Sequence, residues 1–337
     1  MKNILITGGA GFIGANFINH LINETHDHIV NLDALTYAAD KDNIEQKDSD
    51  QYTFVEGDIR DKEFLIKLFD KYQFDRVIHF AAESHVDNSI ADPSAFIETN
   101  ITGTFNLLHT AYQLWMEKPF QLKDKFKNAR FLHVSTDEVY GTLGQEGLFT
   151  EETPYAPNSP YSASKASSDF IVRSYFHTYG MPVVTTNCSN NYGPYQHDEK
   201  LIPVIIRKAL SGNDIPIYGD GKNIRDWLFV KDHCRGIQLA VSQGKLGETY
   251  NIGGKNEREN IYIALKICEM LDKWKPRNDG NSYKEQITFV EDRHGHDFRY
   301  AIDATKIENE LGWKANENFE TGIEKTVRWY IDKYTKN

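Results

Sequence analysis

The chain opens with a strand, a glycine turn and a helix, and no other feature restricts its fold so strongly. Asn3 to Thr7 reads as a short buried strand, and Ala15 to Leu21 has helical periodicity. Gly8-Gly9-Ala10-Gly11-Phe12-Ile13-Gly14 joins them, with glycines at 8, 11 and 14 in a GxxGxxG spacing. Glycine is needed where a turn is tight and where backbone must approach a pyrophosphate. The helix that follows aims free N–H groups and a positive dipole end at the phosphates. A glycine pattern alone is weak, but placed between a strand and a helix it specifies a dinucleotide site.

The alternation continues. His28 to Asp33 reads as a second strand, ending in a carboxylate about twenty residues beyond the turn. Asp33 can accept both ribose hydroxyls of an adenosine and would repel a 2′-phosphate, which favours NAD over NADP. Tyr52 to Glu56 is a third strand, followed by Asp58, a candidate partner for the adenine amino group. Asp61 is placed to cap a helix over Lys62 to Tyr72. Asp75 to Ala82 reads as a fourth strand with small residues at its end, where a cofactor can pass closely. Pro93 to Met116 reads as one long helix, with Phe96, Ile97, Ile101, Phe105, Leu107 and Leu108 apolar, and its outer face suggests a homodimer contact. The pattern predicts an α/β fold: a Rossmann-type, doubly wound parallel sheet with a smaller mixed α/β lobe. Residues 1–188 are expected to form the NAD-binding domain and 189–337 mainly the substrate lobe, partly interleaved with it.

The fifth strand, Arg130 to Val134, runs into Ser135-Thr136-Asp137-Glu138-Val139-Tyr140-Gly141. Carboxylates lose free energy when they leave water, so two at the mouth of a core suggest a task. Ligands bind parallel sheets at this carboxyl rim. Further on, Tyr161 and Lys165 are four residues apart at the start of a helix and share one face. A free tyrosine, with a pKa of about 10, is a poor base at neutral pH. A nearby ammonium and a cationic nicotinamide are expected to lower that value, so that tyrosinate takes a proton from a sugar hydroxyl while hydride leaves the same carbon.

Composition excludes several alternatives. The 337 residues carry 38 Lys and Arg against 49 Asp and Glu, a net charge of −11 with no basic cluster, which argues against nucleic-acid binding. Cys188, Cys234 and Cys268 are widely spaced, with no metal or disulfide pattern. No apolar run is long enough to span a bilayer and no leader precedes the first strand, so the expectation is a cytoplasmic protein.

TGGAGFIG, Asp33, STDEVYG and YSASK resemble the extended short-chain dehydrogenase/reductase family, many of whose members act on nucleotide sugars. Ala81 to Ile90, Ser189 to Gln196, Glu199 to Pro203 and Ile224 to His233 carry the resemblance, to its 4,6-dehydratases in particular, along nearly the whole chain. The resemblance implies NAD as cofactor and dTDP-glucose as substrate. Carbon 4 is oxidised with Tyr161 as base, water is eliminated across carbons 5 and 6, and the hydride returns to carbon 6. It assigns Glu138 as the carbon-5 base, Asp137 as the acid for the departing hydroxyl, and Thr136 as a hydrogen bond to the carbon-4 hydroxyl. The pathway implied is deoxysugar synthesis, rhamnose first. A 4-epimerase, or a dehydratase for another nucleotide, is the nearest alternative, and a non-enzymatic NAD sensor a more distant one.

The expected cofactor contacts are Gly8, Gly11, Phe12, Ile13, Gly14, Asp33, Leu35, Thr36, Asp58, Ile59, Ala81, Ala82, Ser84, Thr99, Ser135, Tyr161, Lys165 and Asn191. The expected substrate contacts are Ser84, Thr136, Asn190, Lys200, Leu201, Arg207, Pro216, Tyr218, Arg225, Asn260, Arg293 and His296. Lys200, Arg207 and Arg225 can neutralise a diphosphate despite the acidic total. His294 and His296 lack a third ligand nearby, so no metal is expected. Two positions depart from the family pattern: His294 stands where it usually has Pro, and Asn88 where it usually has Arg.

Overall fold

The computed structural model describes residues 1–292 and 296–335. Seven strands form the central sheet: β1 (Asn3–Thr7), β2 (His28–Asp33), β3 (Tyr52–Glu56), β4 (Arg76–His79), β5 (Arg130–Thr136), β6 (Val183–Cys188) and β7 (Thr249–Ile252). Every neighbouring pair is parallel, in the order β3-β2-β1-β4-β5-β6-β7. The strand order reverses between β1 and β4, which opens a crevice at their carboxyl ends. The glycine turn follows β1 and therefore lies in that crevice.

Helices cover both faces, which is why β1, β2, β5 and β6 are almost continuously buried. On one face Phe17, Ile18 and Leu21 of the helix Phe12–Glu24 share a core with Ile237, Ala240 and Val241 of the helix Val230–Gln243. On the other, Leu65, Leu68 and Phe69 meet Leu107, Leu108, Ala111 and Val172. The Asp61 carboxylate caps the helix Lys62–Tyr72 by accepting from Phe64 N at 2.9 Å.

The smaller lobe packs the helices Leu201–Leu210, Asn260–Trp274 and Phe319–Thr335 around Tyr192, Trp227 and Phe229. Its strand Ile224–Phe229 pairs with Asn190–Tyr192, Glu257–Glu259 and Arg299–Tyr300. Between these segments the chain returns to the large sheet, supplying Val230–Gln243 and β7. The two lobes are thus threaded through each other.

Two expectations are corrected. The fourth strand ends at His79 rather than Ala82: past that point Ala81 N turns to the Thr7 hydroxyl, at 3.3 Å. The segment from Pro93 to Met116 is not one α-helix. It runs as a turn of α-helix (Ser94–Phe96), a π-helical stretch (Ile97–Gly103) and an α-helix (Thr104–Trp115), with Met116 already in a strand. Wide π turns arise where local side-chain demands override the helical ladder. Here Asn100 grips Glu83 N and O at 2.8 and 3.0 Å and Ser164 Oγ at 2.9 Å, fixing the loop after β4 to the helix that carries Tyr161.

Candidate active site

The glycine turn is shaped by close backbone approaches. Gly8 has φ +71°, and a Cβ there would stand 2.6 Å from Ala81 N. A Cβ on Gly14 would stand 2.3 Å from Gly8 O. The helix that follows has Gly11 as its N-cap, with no side-chain cap and no acidic residue in its first turn. Its first N–H groups are left for an anion. At the end of β2, Asp33 accepts from Ala10 N at 2.9 Å and Leu35 N at 2.8 Å. Burial raises the Asp33 pKa against the pull of those two N–H groups. Each carboxylate oxygen has spare lone pairs for a ribose diol. These residues fit a dinucleotide.

The turn is one end of a cleft of about 380 Å³. Gly8, Gly11, Phe12, Ile13, Gly14, Asp33, Thr36, Asp58, Ile59, Ala81, Ala82, Ser84 and Thr99 line it, all expected from sequence. Leu35 is not in the lining; its N–H serves Asp33 instead. Asp58 is held by the Arg60 guanidinium at 2.7 Å, which outweighs burial and lowers its pKa.

The other end of the cleft carries the proposed chemistry, with Ser135, Thr136, Asp137, Glu138, Tyr161, Lys165, Asn190, Asn191 and Lys200 in its wall. β5 ends at Thr136, and a 3₁₀ turn over Asp137–Tyr140 begins there. That turn sends Asp137 inward, leaving it 2 % exposed with Oδ2 unpartnered among the described residues. Burial, then Glu138 and then Asp226 push the Asp137 carboxyl well above its ordinary range, outweighing Arg225. Such surroundings favour the protonated form, as an acid in the cleft would need.

Tyr161 and Lys165 lie on the helix Pro160–Tyr179, whose start is fixed by a capping box between Ser159 and Ser162. Lys165 Nζ donates to Val134 O at 2.9 Å. The expected lowering of the Tyr161 pKa depends on a cationic nicotinamide beside it, and the chain's own groups push the other way. Burial, with the Glu138 charge second, pushes this phenol well above its ordinary value, and the Thr136 hydrogen bond only partly offsets that.

The substrate candidates divide. Lys200 reaches across the cleft to Ser84 O at 3.2 Å. Asn190 has a buried, unpartnered Oδ1, whereas Asn191 bonds His233 at 2.9 Å and Ser189 O at 2.9 Å. Arg225 is buried, donates to Asp297 O at 2.9 Å, and stacks on Tyr300 at 4.4 Å. Arg225 too is outside the cleft wall, as are Leu201, Arg207, Pro216, Tyr218, Asn260 and His296 in the smaller lobe. Arg207 lies 3.9 Å from Asp198, and His296 bonds Asp292 at 2.6 Å with its ring 6.5 Å from that of Tyr218. Arg293 and His294 fall outside the described residues. Asn88 is exposed on the short helix Val86–Ala91, away from the reacting groups. Sequence reasoning missed Asp169, Asp226 and Tyr300, all brought in by tertiary packing rather than by a local motif. Among the described residues no group of three or more His, Cys, Asp or Glu is arranged to hold a metal, and no helix is long and apolar enough to cross a membrane.

A family model described as GDP-mannose 4,6 dehydratase matches residues 5–326, and the chain belongs to that family within the extended short-chain dehydrogenase/reductases. Within it, the chain is 54 % identical to a dTDP-glucose 4,6-dehydratase of Xanthomonas campestris pv. campestris, over 99 % of this chain and 95 % of the relative. A crystal structure of a Streptomyces venezuelae dTDP-glucose 4,6-dehydratase with NAD bound superimposes with a TM-score of 0.89 at 43 % identity, covering 98 % of this chain and 97 % of the other. One from Bacillus anthracis in complex with NAD gives 0.85 at 44 % identity, covering 100 % and 99 %.

The Asp137 geometry sets an opposition between stability and activity. Its pKa is raised by folding, so the unfolded chain ionises first as pH climbs past the ordinary value of 3.8, and stability falls from there until the folded form also ionises. Asp137→Asn removes that penalty. It is expected to raise stability at neutral pH by about 1 kcal/mol while abolishing turnover, checked by urea unfolding at pH values on both sides of the ordinary carboxylate range.

Proposed function

We propose that this chain converts dTDP-glucose to dTDP-4-keto-6-deoxyglucose, using NAD that it regenerates in each turnover. The observation that carries this reading is the pair at the end of β5. Asp137, its Oδ2 unpartnered among the described residues and its carboxyl pushed well above the ordinary range by burial and Glu138, stands beside Glu138 in the wall that also carries Tyr161. An oxidation or an epimerisation at carbon 4 needs Tyr161 and Lys165 but no such pair; an elimination needs both members.

Gly8, Gly11, Phe12, Ile13 and Gly14 would hold the cofactor's pyrophosphate, and Asp33 its adenosine ribose. Bound there, NAD supplies the acceptor that takes a hydride from carbon 4 and later gives it back. Tyr161 takes the carbon-4 hydroxyl proton, with Thr136 holding the hydroxyl in line. A cationic nicotinamide ring would supply the charge that brings the raised Tyr161 pKa down. Ketone formation acidifies the carbon-5 proton, and Glu138 removes it. Asp137 gives its proton to the carbon-6 hydroxyl, which leaves as water. Glu138 then returns its proton to carbon 5 as hydride reaches carbon 6. The proton left on Tyr161 equals the one Asp137 gave up, so one transfer resets the site.

Asn190, Lys200 and Arg225 support binding of the sugar diphosphate, with Leu201, Arg207, Pro216, Tyr218, Asn260, Arg293 and His296 assigned to the nucleotide. The 54 % relatives favour thymidine as the base over the guanosine of the family's description. A 4-keto-6-deoxy product suits deoxysugar synthesis in the cytoplasm, rhamnose among the end products. Ile97 and Phe105, with Phe170 on the adjacent helix, are 52 %, 38 % and 58 % exposed, an apolar face that supports a homodimer.

Two outcomes are expected. Glu138→Gln retains carbon-4 oxidation and accumulates reduced nicotinamide, while product formation falls by about 100-fold or more; normal dehydration by this variant would remove the role given to Glu138. Sedimentation of the purified protein at micromolar concentration shows a dimer, and a monomer there would exclude the contact proposed at Ile97 and Phe170.

A further inference from the structure

Below Lys165, one further helical turn from the cleft, lies a carboxylate that no step above uses. Tyr161, Lys165 and Asp169 are spaced four and four along the helix Pro160–Tyr179, so all three lie on the face toward β5. Asp169 is 4 % exposed, and donors from two other elements converge on it. From β5, His133 Nε2 reaches Oδ1 at 2.9 Å and Ser135 Oγ donates to Oδ2 at 2.8 Å. From the loop before the helix, Tyr155 OH donates to Oδ2 at 3.0 Å, and Asn187 Nδ2 of β6 in turn donates to Tyr155 at 3.2 Å. The β5 residue between His133 and Ser135 is Val134, whose carbonyl accepts from Lys165. One stretch of β5 therefore fixes both the ammonium and the carboxylate.

We propose that Asp169 is a positioning residue that keeps Lys165 charged and fixed on β5, and thereby sets the alkaline limit of the Tyr161-dependent step. The inference rests on the reading of Tyr161 as base. A buried ammonium is costly unless a negative charge stands near it. Lys165 has no carboxylate within direct ion-pair distance among the described residues, and Val134 O is neutral. Burial pulls the Lys165 pKa down, and Asp169 is the leading influence that holds it up, ahead of Cys188. The other groups facing the pair are His79, His133, Tyr140, Tyr155 and the Cys188 thiol. Burial pushes the two imidazoles down, and it pushes the two phenols and the thiol up. Asp169 is thus the carboxylate that stands nearest in influence to Lys165 among the described residues.

Asp169→Asn keeps the shape and removes the charge. His133 can change tautomer, and the Ser135 and Tyr155 hydroxyls can turn to accept, so the amide can be satisfied. The experiment follows the first half-reaction of the NAD holoenzyme, read as reduced nicotinamide, against pH. In Asp169→Asn the alkaline limb is expected to move down by about one pH unit or more, with KM little changed. Tyr155→Phe, which removes a hydrogen bond from the same carboxylate but no charge, leaves the limb in place. A uniform loss of rate with the limb unmoved would overturn the proposal, as would an equal displacement in Tyr155→Phe. Should Asp169→Asn fail to fold, carbon NMR of the Lys165 side chain in the wild-type holoenzyme decides: an ammonium persisting above neutral pH supports the proposal, and deprotonation below it refutes it. Failure of the wild-type holoenzyme to oxidise the sugar at all would instead count against the function proposed above.

Discussion

The arrangement depends on the burial of one of two adjacent carboxyls at the end of a single strand. Asp137 and Glu138 are adjacent in sequence, so a 3₁₀ turn immediately after β5 must present both at the same rim. Taking Asp137 out of water beside Glu138 makes its ionised form costly and favours the protonated one. Adjacency and burial thereby give two chemically similar side chains different surroundings, which is what the proposed acid and base roles require. The same Glu138 charge also raises Tyr161, so one carboxylate biases both the acid and the phenol. The cleft is tuned as a unit, with each group's proton affinity set by the others.

The sheet supplies what that tuning needs. Parallel strands bring the ends of β1, β2, β4, β5 and β6 to one edge, and the reversal of order beside β1 opens the crevice there. β5 and the helix Pro160–Tyr179 then act as a pair. The strand end carries Ser135, Thr136, Asp137 and Glu138, and the helix carries Tyr161, Lys165 and Asp169. Asn100, in its π-helical turn, ties that helix to the loop after β4. The smaller lobe closes the cleft with Lys200 on Ser84 O and places Arg225 within electrostatic reach of the two carboxyls.

Much of this was legible in the residues because the signals are local. The glycine turn, Asp33 and the Asp61 cap each depend on a few neighbours, and each stands where its spacing placed it. The π-helical break was not legible, since the apolar spacing over Phe96, Ile97, Ile101 and Phe105 fits an ordinary helix and its cause lies at Glu83 and Ser164. Asp169 sits in Ser167-Ser168-Asp169, which reads as a solvated helix face until His133 and Tyr155 are packed over it. The surroundings of Tyr161 were hidden for the same reason: a spacing of four shows the lysine, while desolvation and the approach of Glu138 come from tertiary structure. Lys200 and Arg207 look alike in sequence, yet one bridges the cleft and the other lies near Asp198 on the smaller lobe.

The central claim is that a single hydride leaves carbon 4 and returns to carbon 6 within one site. The direct measurement is turnover of dTDP-glucose carrying deuterium on carbon 4, with the product examined by NMR. The expected result is deuterium on carbon 6 of the 4-keto-6-deoxy product, with none released to solvent. Deuterium lost to water, or retained on carbon 4 of an epimer, would contradict it.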